Sequence, residues 1–160
     1  MSPRTQNMIS VGVLIVALAI TAFPAKAQAM TLKATGEFDV KVAPVADEKF
    51  DGASMGRMSL DKQFKGDLAA TSKGEMLTAM SAVKGSGAYV AVERVSGTLA
   101  GKSGTFMLHH TGVMTRGAPS LAVTVVPDSG TGELTGLEGR MGIRIEGGKH
   151  FYDFDYSMKP

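Results

Sequence analysis

GAYVAVERVSGTLAGKSGTFMLHHTGVMTR, residues 87–116, decides how this chain folds. Two runs rich in β-branched and aromatic residues alternate apolar with polar on either side of Ala100-Gly101-Lys102-Ser103, the signature of an antiparallel hairpin. Glycine at the first position of a two-residue loop favours a type II′ turn, which places the loop at Gly101-Lys102 and pairs Ala100 with Ser103. In that register Glu93 stands opposite His110; with the loop at Lys102-Ser103 the two become diagonal neighbours on the same face. One face carries Tyr89, Ala91, Glu93, Val95, Leu99, Phe106, Leu108, His110 and Met114. The other carries Val92, Arg94, Ser96, Thr98, Thr105, Met107, His109 and Thr111, and reads as the solvent side.

A glutamate and a histidine in an otherwise apolar face admit two readings. They are a buried polar pair satisfying itself, since a buried carboxylate needs a partner to be tolerated. Or they are an acid/base dyad in a pocket wall, with Glu93 and His110 as catalytic groups.

The pattern repeats outward from the hairpin. Residues 31–42 alternate Leu32, Ala34, Gly36, Phe38, Val40 and Val42 against polar residues, and Pro44 is predicted to end that strand. Residues 46–56 read as a polar loop, a rim or lid. A second strand is predicted near 57–65 with Met58, Leu60 and Phe64 inward, and a third near 68–82, weakened midway by Gly74. The hairpin supplies strands near 88–100 and 105–115. Residues 120–126, SLAVTVV, read as a strand with little solvent on either face. Residues 133–146 and 149–159 follow, joined at Gly147-Gly148, and the last places His150, Tyr152, Phe154, Tyr156 and Met158 on one side. Eight strands without helical periodicity predict an all-β fold, a single closed antiparallel eight-stranded β-barrel, because closure removes the exposed edges of such a meander. A two-sheet sandwich is the structural rival.

The start of the chain differs. After Arg4, the run MISVGVLIVALAITAF at 8–23 is uncharged and mostly apolar, and PAKAQA follows. This is the layout of a secretory signal, with cleavage expected after Ala27 or Ala29. The expected division is therefore a signal peptide over 1–29 and a barrel domain over 30–160, secreted or periplasmic. Without residues 1–29 the chain loses Arg4 and Lys26, and 17 basic against 15 acidic residues becomes 15 against 15. A balanced charge argues against nucleic acid or an anionic membrane as partner. The chain has no cysteine, hence neither a disulfide nor a cysteine for lipid attachment.

The blocks RMSLDKQFKGDL, SKGEML, VAVERVSGTLAGKSGTFMLHHTG, VVPDSGTGELTGLEG and GKHFYDFDY together resemble the bacterial domain-of-unknown-function family 3224, from about Thr35 to Tyr156. The resemblance implies a small barrel similar in fold to allene oxide cyclase, a superfamily with cyclases and isomerase-like proteins that act on apolar substrates inside the barrel. It does not imply the cyclase activity, and no residue of this chain is assigned a role from that enzyme.

The remaining chemistry is sparse. Tyr89, His150, Tyr152 and Tyr156 are the inward polar tips expected to orient a ligand; otherwise they are core residues with satisfied hydroxyls. His109 points away from His110, so the two cannot grip one metal ion, and no His-x-His motif occurs. The methionines are scattered and fit core filling better than a copper site. No metal and no cofactor is expected. No G-x-S-x-G elbow is present, and the Gly-rich S-G-T-G-E segment leads into no helix that would cradle phosphate. Three functions stay open: a barrel binding a small apolar molecule, an isomerase or cyclase on the same frame, and a packed barrel acting through its outer face, for instance as a homo-oligomer.

Overall fold

Alternating sequence carried through successive short turns closes on itself. In the computed structural model, which describes residues 30–159, the strands are β1 (Leu32–Phe50), β2 (Ala53–Gly66), β3 (Leu68–Met80), β4 (Gly87–Leu99), β5 (Lys102–Thr115), β6 (Ala118–Val125), β7 (Leu137–Glu146) and β8 (Lys149–Met158). Each pairs antiparallel with the next, and β8 returns to β1 from Leu32↔Tyr156 to Phe38↔His150, closing a barrel. The only helical turn among the described residues is a 3-10 turn at Gly132–Leu134, between β6 and β7. The segment read as an export signal lies outside the described residues.

The two ends of the barrel differ. At the end holding the β2–β3, β4–β5 and β6–β7 connections, large side chains fill the interior: Phe64, Leu68, Leu99, Phe106, Leu134, Leu137 and Phe154 are all at most 1% exposed. Aromatic rings organise this half, with Phe38 tilted on Phe64 at 5.3 Å, Phe64 edge-on to Tyr152 at 5.8 Å and Phe106 stacked on Phe154 at 6.0 Å. Along the same inward rows toward the other end, Val42, Met80, Met114, Leu121 and Ile145 are 42–65% exposed. That end is open.

Three expectations from the sequence are corrected. Residues 46–56 are no loop: β1 and β2 run on as a long hairpin turning at Asp51-Gly52. Beyond Phe38, β1 pairs with β2 alone, and an edge of that kind tolerates Pro44 and the bulge beside it. The β4–β5 turn is Ala100-Gly101, not Gly101-Lys102, with φ of 48° and 82°, a type I′ geometry. Left-handed backbone is unfavourable for alanine, but the Ala100 N–H donates to the Asp67 carbonyl at 2.7 Å, which holds the residue in the turn. The third strand is continuous through Gly74. Finally, β6 is exposed along its first half, because it meets β7 only at Thr124↔Arg140 and leaves the barrel wall thin there.

Candidate functional site

Four strands each send one polar side chain to the level where the filled half meets the open half. Lys62 lies between Leu60 and Phe64 in the inward row of β2, Ser72 follows Leu68 and Ala70 in β3, Glu93 stands between Ala91 and Val95 in β4, and His110 follows Leu108 in β5. All four are buried. Glu93 Oε1 accepts from Lys62 Nζ at 2.7 Å and is 2.8 Å from His110 Nε2, while Oε2 accepts from the Ser72 hydroxyl at 2.5 Å. Lys62 Nζ also lies 5.1 Å from the centre of the Phe38 ring, a cation–π contact.

The true register explains how Glu93 and His110 meet. Glu93 is opposite Leu108 and His110 opposite Ala91, so the two are diagonal neighbours, not the directly opposed pair expected from a Gly101-Lys102 loop. Shifting a two-residue loop by one position moves the pairing by two, which preserves every inward side chain. The long side chains span the diagonal.

Gly74 makes room for this cluster. It faces Glu93 on β4, and a β-carbon there would lie 2.3 Å from the Val92 carbonyl oxygen and 2.6 Å from Glu93 Cβ. Gly74→Ala therefore forces β3 and β4 apart and is expected to cost about 1–3 kcal/mol in urea denaturation. Gly142→Ala is the control: its β-carbon would meet only the Asp153 carbonyl oxygen at an ordinary 3.7 Å, and no comparable loss is expected.

The surroundings of Glu93 also settle its charge. Burial pushes its carboxyl up, but hydrogen bonding from His110, the Lys62 charge and hydrogen bond, and Ser72 outweigh burial and hold it at about 2. A carboxylate held that low is ionised at neutral pH and carries no exchangeable proton there. Glu93 thus anchors Lys62 and His110, which is a different task from the proton exchange read from the sequence.

Above the cluster opens a cavity of about 430 Å³. Its walls are apolar, with Phe38, Val40, Leu60, Met76, Met114 and Ile143 among them, and Lys62 and His110 stand at its floor. Tyr89 and His150 line it as expected, together with Thr78 and Ser120. The Tyr89 ring lies across Gly112, where a β-carbon would come within 2.1 Å of it, and burial followed by the nearby Glu93 charge raises its hydroxyl pKa. His150 is tilted against Phe38 at 5.1 Å.

Tyr152 and Tyr156, expected to orient a ligand, do not line this cavity. The Tyr152 hydroxyl accepts from the Leu68 N–H at 2.8 Å and donates to the Lys65 carbonyl at 3.2 Å, tying β8 to the β2–β3 turn. Tyr156 packs on Phe154 at 5.4 Å in the filled half. Parity put both inside; the stagger of the strands put them at the other end. Lys62 and Ser72 were not foreseen, although strict alternation through Met58, Leu60 and Phe64 assigns Lys62 to the interior. Among the described residues no group of three His, Asp or Glu side chains is placed to hold a metal ion.

Comparison with known proteins gives a consistent picture. A family described as "Protein of unknown function (DUF3224)" matches residues 34–156. A crystal structure of a protein with unknown function from that family, from Shewanella oneidensis MR-1, is similar at 52% sequence identity and a TM-score of 0.78, covering 82% of this chain and 100% of that one. No curated protein matches.

Proposed function

Because this chain belongs to the DUF3224 family, whose description carries no activity, we propose a function from its site: an exported barrel that binds a small, largely apolar molecule in its open half. The observation that carries this reading is the cavity of about 430 Å³, apolar in its walls and polar at its floor. Small-molecule sites commonly occupy about 300–1,000 Å³ and combine apolar lining with a few convergent polar groups. Lys62, His110, His150 and Tyr89 are those groups here. Export rests on the sequence of residues 1–29.

A second reading, an isomerase or cyclase in the same pocket, draws on the proposed likeness to allene oxide cyclase-type barrels and on the carboxylate–imidazole pair. A fully packed barrel acting through its surface is disfavoured by the volume of the open half.

The binding reading is tested by native mass spectrometry of protein purified from its own host and by fluorescence titration with N-phenylnaphthylamine. Saturable dye binding is expected, weakened about tenfold or more in Met76→Trp, which places an indole in the cavity. A bare chain mass together with no saturable dye binding would overturn it.

A further inference from the structure

We propose that the open half binds small apolar ketones and exchanges the proton on the carbon next to the carbonyl, with His110 as the base and Lys62 holding the oxyanion. The inference rests on the binding reading above and assigns the site its chemistry.

The assignment begins at Glu93. Both of its oxygens are occupied, Oε1 by Lys62 and His110 and Oε2 by Ser72, so the carboxylate is not offered to a ligand. An ionised carboxylate only accepts hydrogen bonds, which places a ring proton on Nε2, so that the neutral imidazole carries its lone pair on Nδ1. Nδ1 makes no hydrogen bond with the described residues, yet no buried side-chain nitrogen or oxygen among them lacks a partner. Nδ1 is therefore accessible, and His110 lines the cavity. A basic nitrogen, oriented from behind by a carboxylate, faces an apolar chamber.

Beside it stands a donor. Lys62 Nζ carries three protons, one of which goes to Glu93, and the residue lines the same cavity. Nζ and His110 Nε2 are no more than 5.5 Å apart, since they lie 2.7 and 2.8 Å from the same oxygen. A carbonyl oxygen seated on Lys62 thus lies beside the His110 ring. The apolar walls leave that donor few competitors for an oxygen that gains charge.

The step balances within the site. Nδ1 takes the proton from the α-carbon, and the C–H electron pair becomes a C=C bond as the carbonyl π pair moves to oxygen. Lys62 donates a hydrogen bond to the enolate oxygen, and the imidazolium remains beside the Glu93 carboxylate. Return of the proton to the same carbon gives exchange; return to the far carbon of a β,γ-unsaturated ketone gives the conjugated isomer. No oxidant or reductant is required.

The test uses the full chain with β-tetralone in deuterium oxide, following α-deuteration by NMR and binding by saturation transfer. Exchange about a hundredfold above buffer with matched free imidazole is expected. His110→Gln keeps an N–H for Glu93 while removing the base, and is expected to drop to the buffer rate. Lys62→Met is expected to lose most of the acceleration. β-Tetralone that binds without exchange in the unsubstituted protein overturns the proton transfer and leaves the binding reading standing. Exchange that persists in His110→Gln overturns the assignment of the base. No β-tetralone binding in protein that still binds the naphthylamine dye overturns the ketone class alone, and loss of both signals removes the binding reading as well.

Discussion

Glu93→Leu is expected to lower folding stability by about 3–5 kcal/mol, and Lys62→Met combined with Glu93→Leu to recover part of that loss. The asymmetry follows from burial. Glu93 is 1% and Lys62 6% exposed, so removing the carboxylate strands an ammonium group among Phe38, Phe64 and Leu60. The Phe38 and Phe64 rings, 5.1 and 5.8 Å away, offer about 2 kcal/mol at best, less than the cost of an uncompensated buried charge. Ser72 and His110 lose their acceptor in the same substitution. Replacing both charged groups removes the electrostatic penalty and leaves only those two donors short of a partner, at about 1–3 kcal/mol each. Lys62→Met alone is milder, because Glu93 keeps two donors. Urea denaturation of the four proteins gives the coupling energy of the pair. A loss below about 1 kcal/mol for Glu93→Leu would mean that water reaches the cluster and screens its charges.

What the sequence revealed and what it hid divide along a physical line. Parity is local: alternation placed Glu93, His110, His150 and Tyr89 inward, and a loop shifted by one residue could not change that. Register is not local, because the turn at Ala100-Gly101 depends on a hydrogen bond to Asp67, 33 positions away in the chain. Depth along the barrel is not local either. Tyr152 and His150 share an inward row, yet one closes the filled half and the other lines the open one. Lys62 was hidden for another reason. A lysine ordinarily signals solvent, and only the carboxylate of Glu93, brought in by a different strand, makes its inward position tolerable. The 46–56 segment is polar because both faces of the projecting β1–β2 hairpin are wet, which in sequence looks the same as a loop.

Acidification supplies the second large effect. Between about pH 4.5 and pH 2 the protein is expected to lose about 3 kcal/mol of stability through Glu93 alone. The carboxyl sits at about 2 in the folded chain against 4.5 for a free glutamate, so the unfolded chain takes up the proton first as pH falls. The stabilisation is complete above the unfolded value and drains away on the way down to the folded one. Protonating Glu93 has a further consequence, since it removes the acceptor that Lys62 and His110 share. The exposed ion pairs, such as Arg57 with Glu75 and Lys33 with Asp155, contribute little to folding. Glu93→Gln separates the two contributions: it is less stable at pH 7, and its stability should fall with acid by about 3 kcal/mol less than that of the unsubstituted protein. Urea midpoints measured at half-unit intervals from pH 7 to pH 2 give both curves. Parallel curves would place the acid-sensitive interaction elsewhere and deny Glu93 its role as the buried anion around which Lys62 and His110 are arranged.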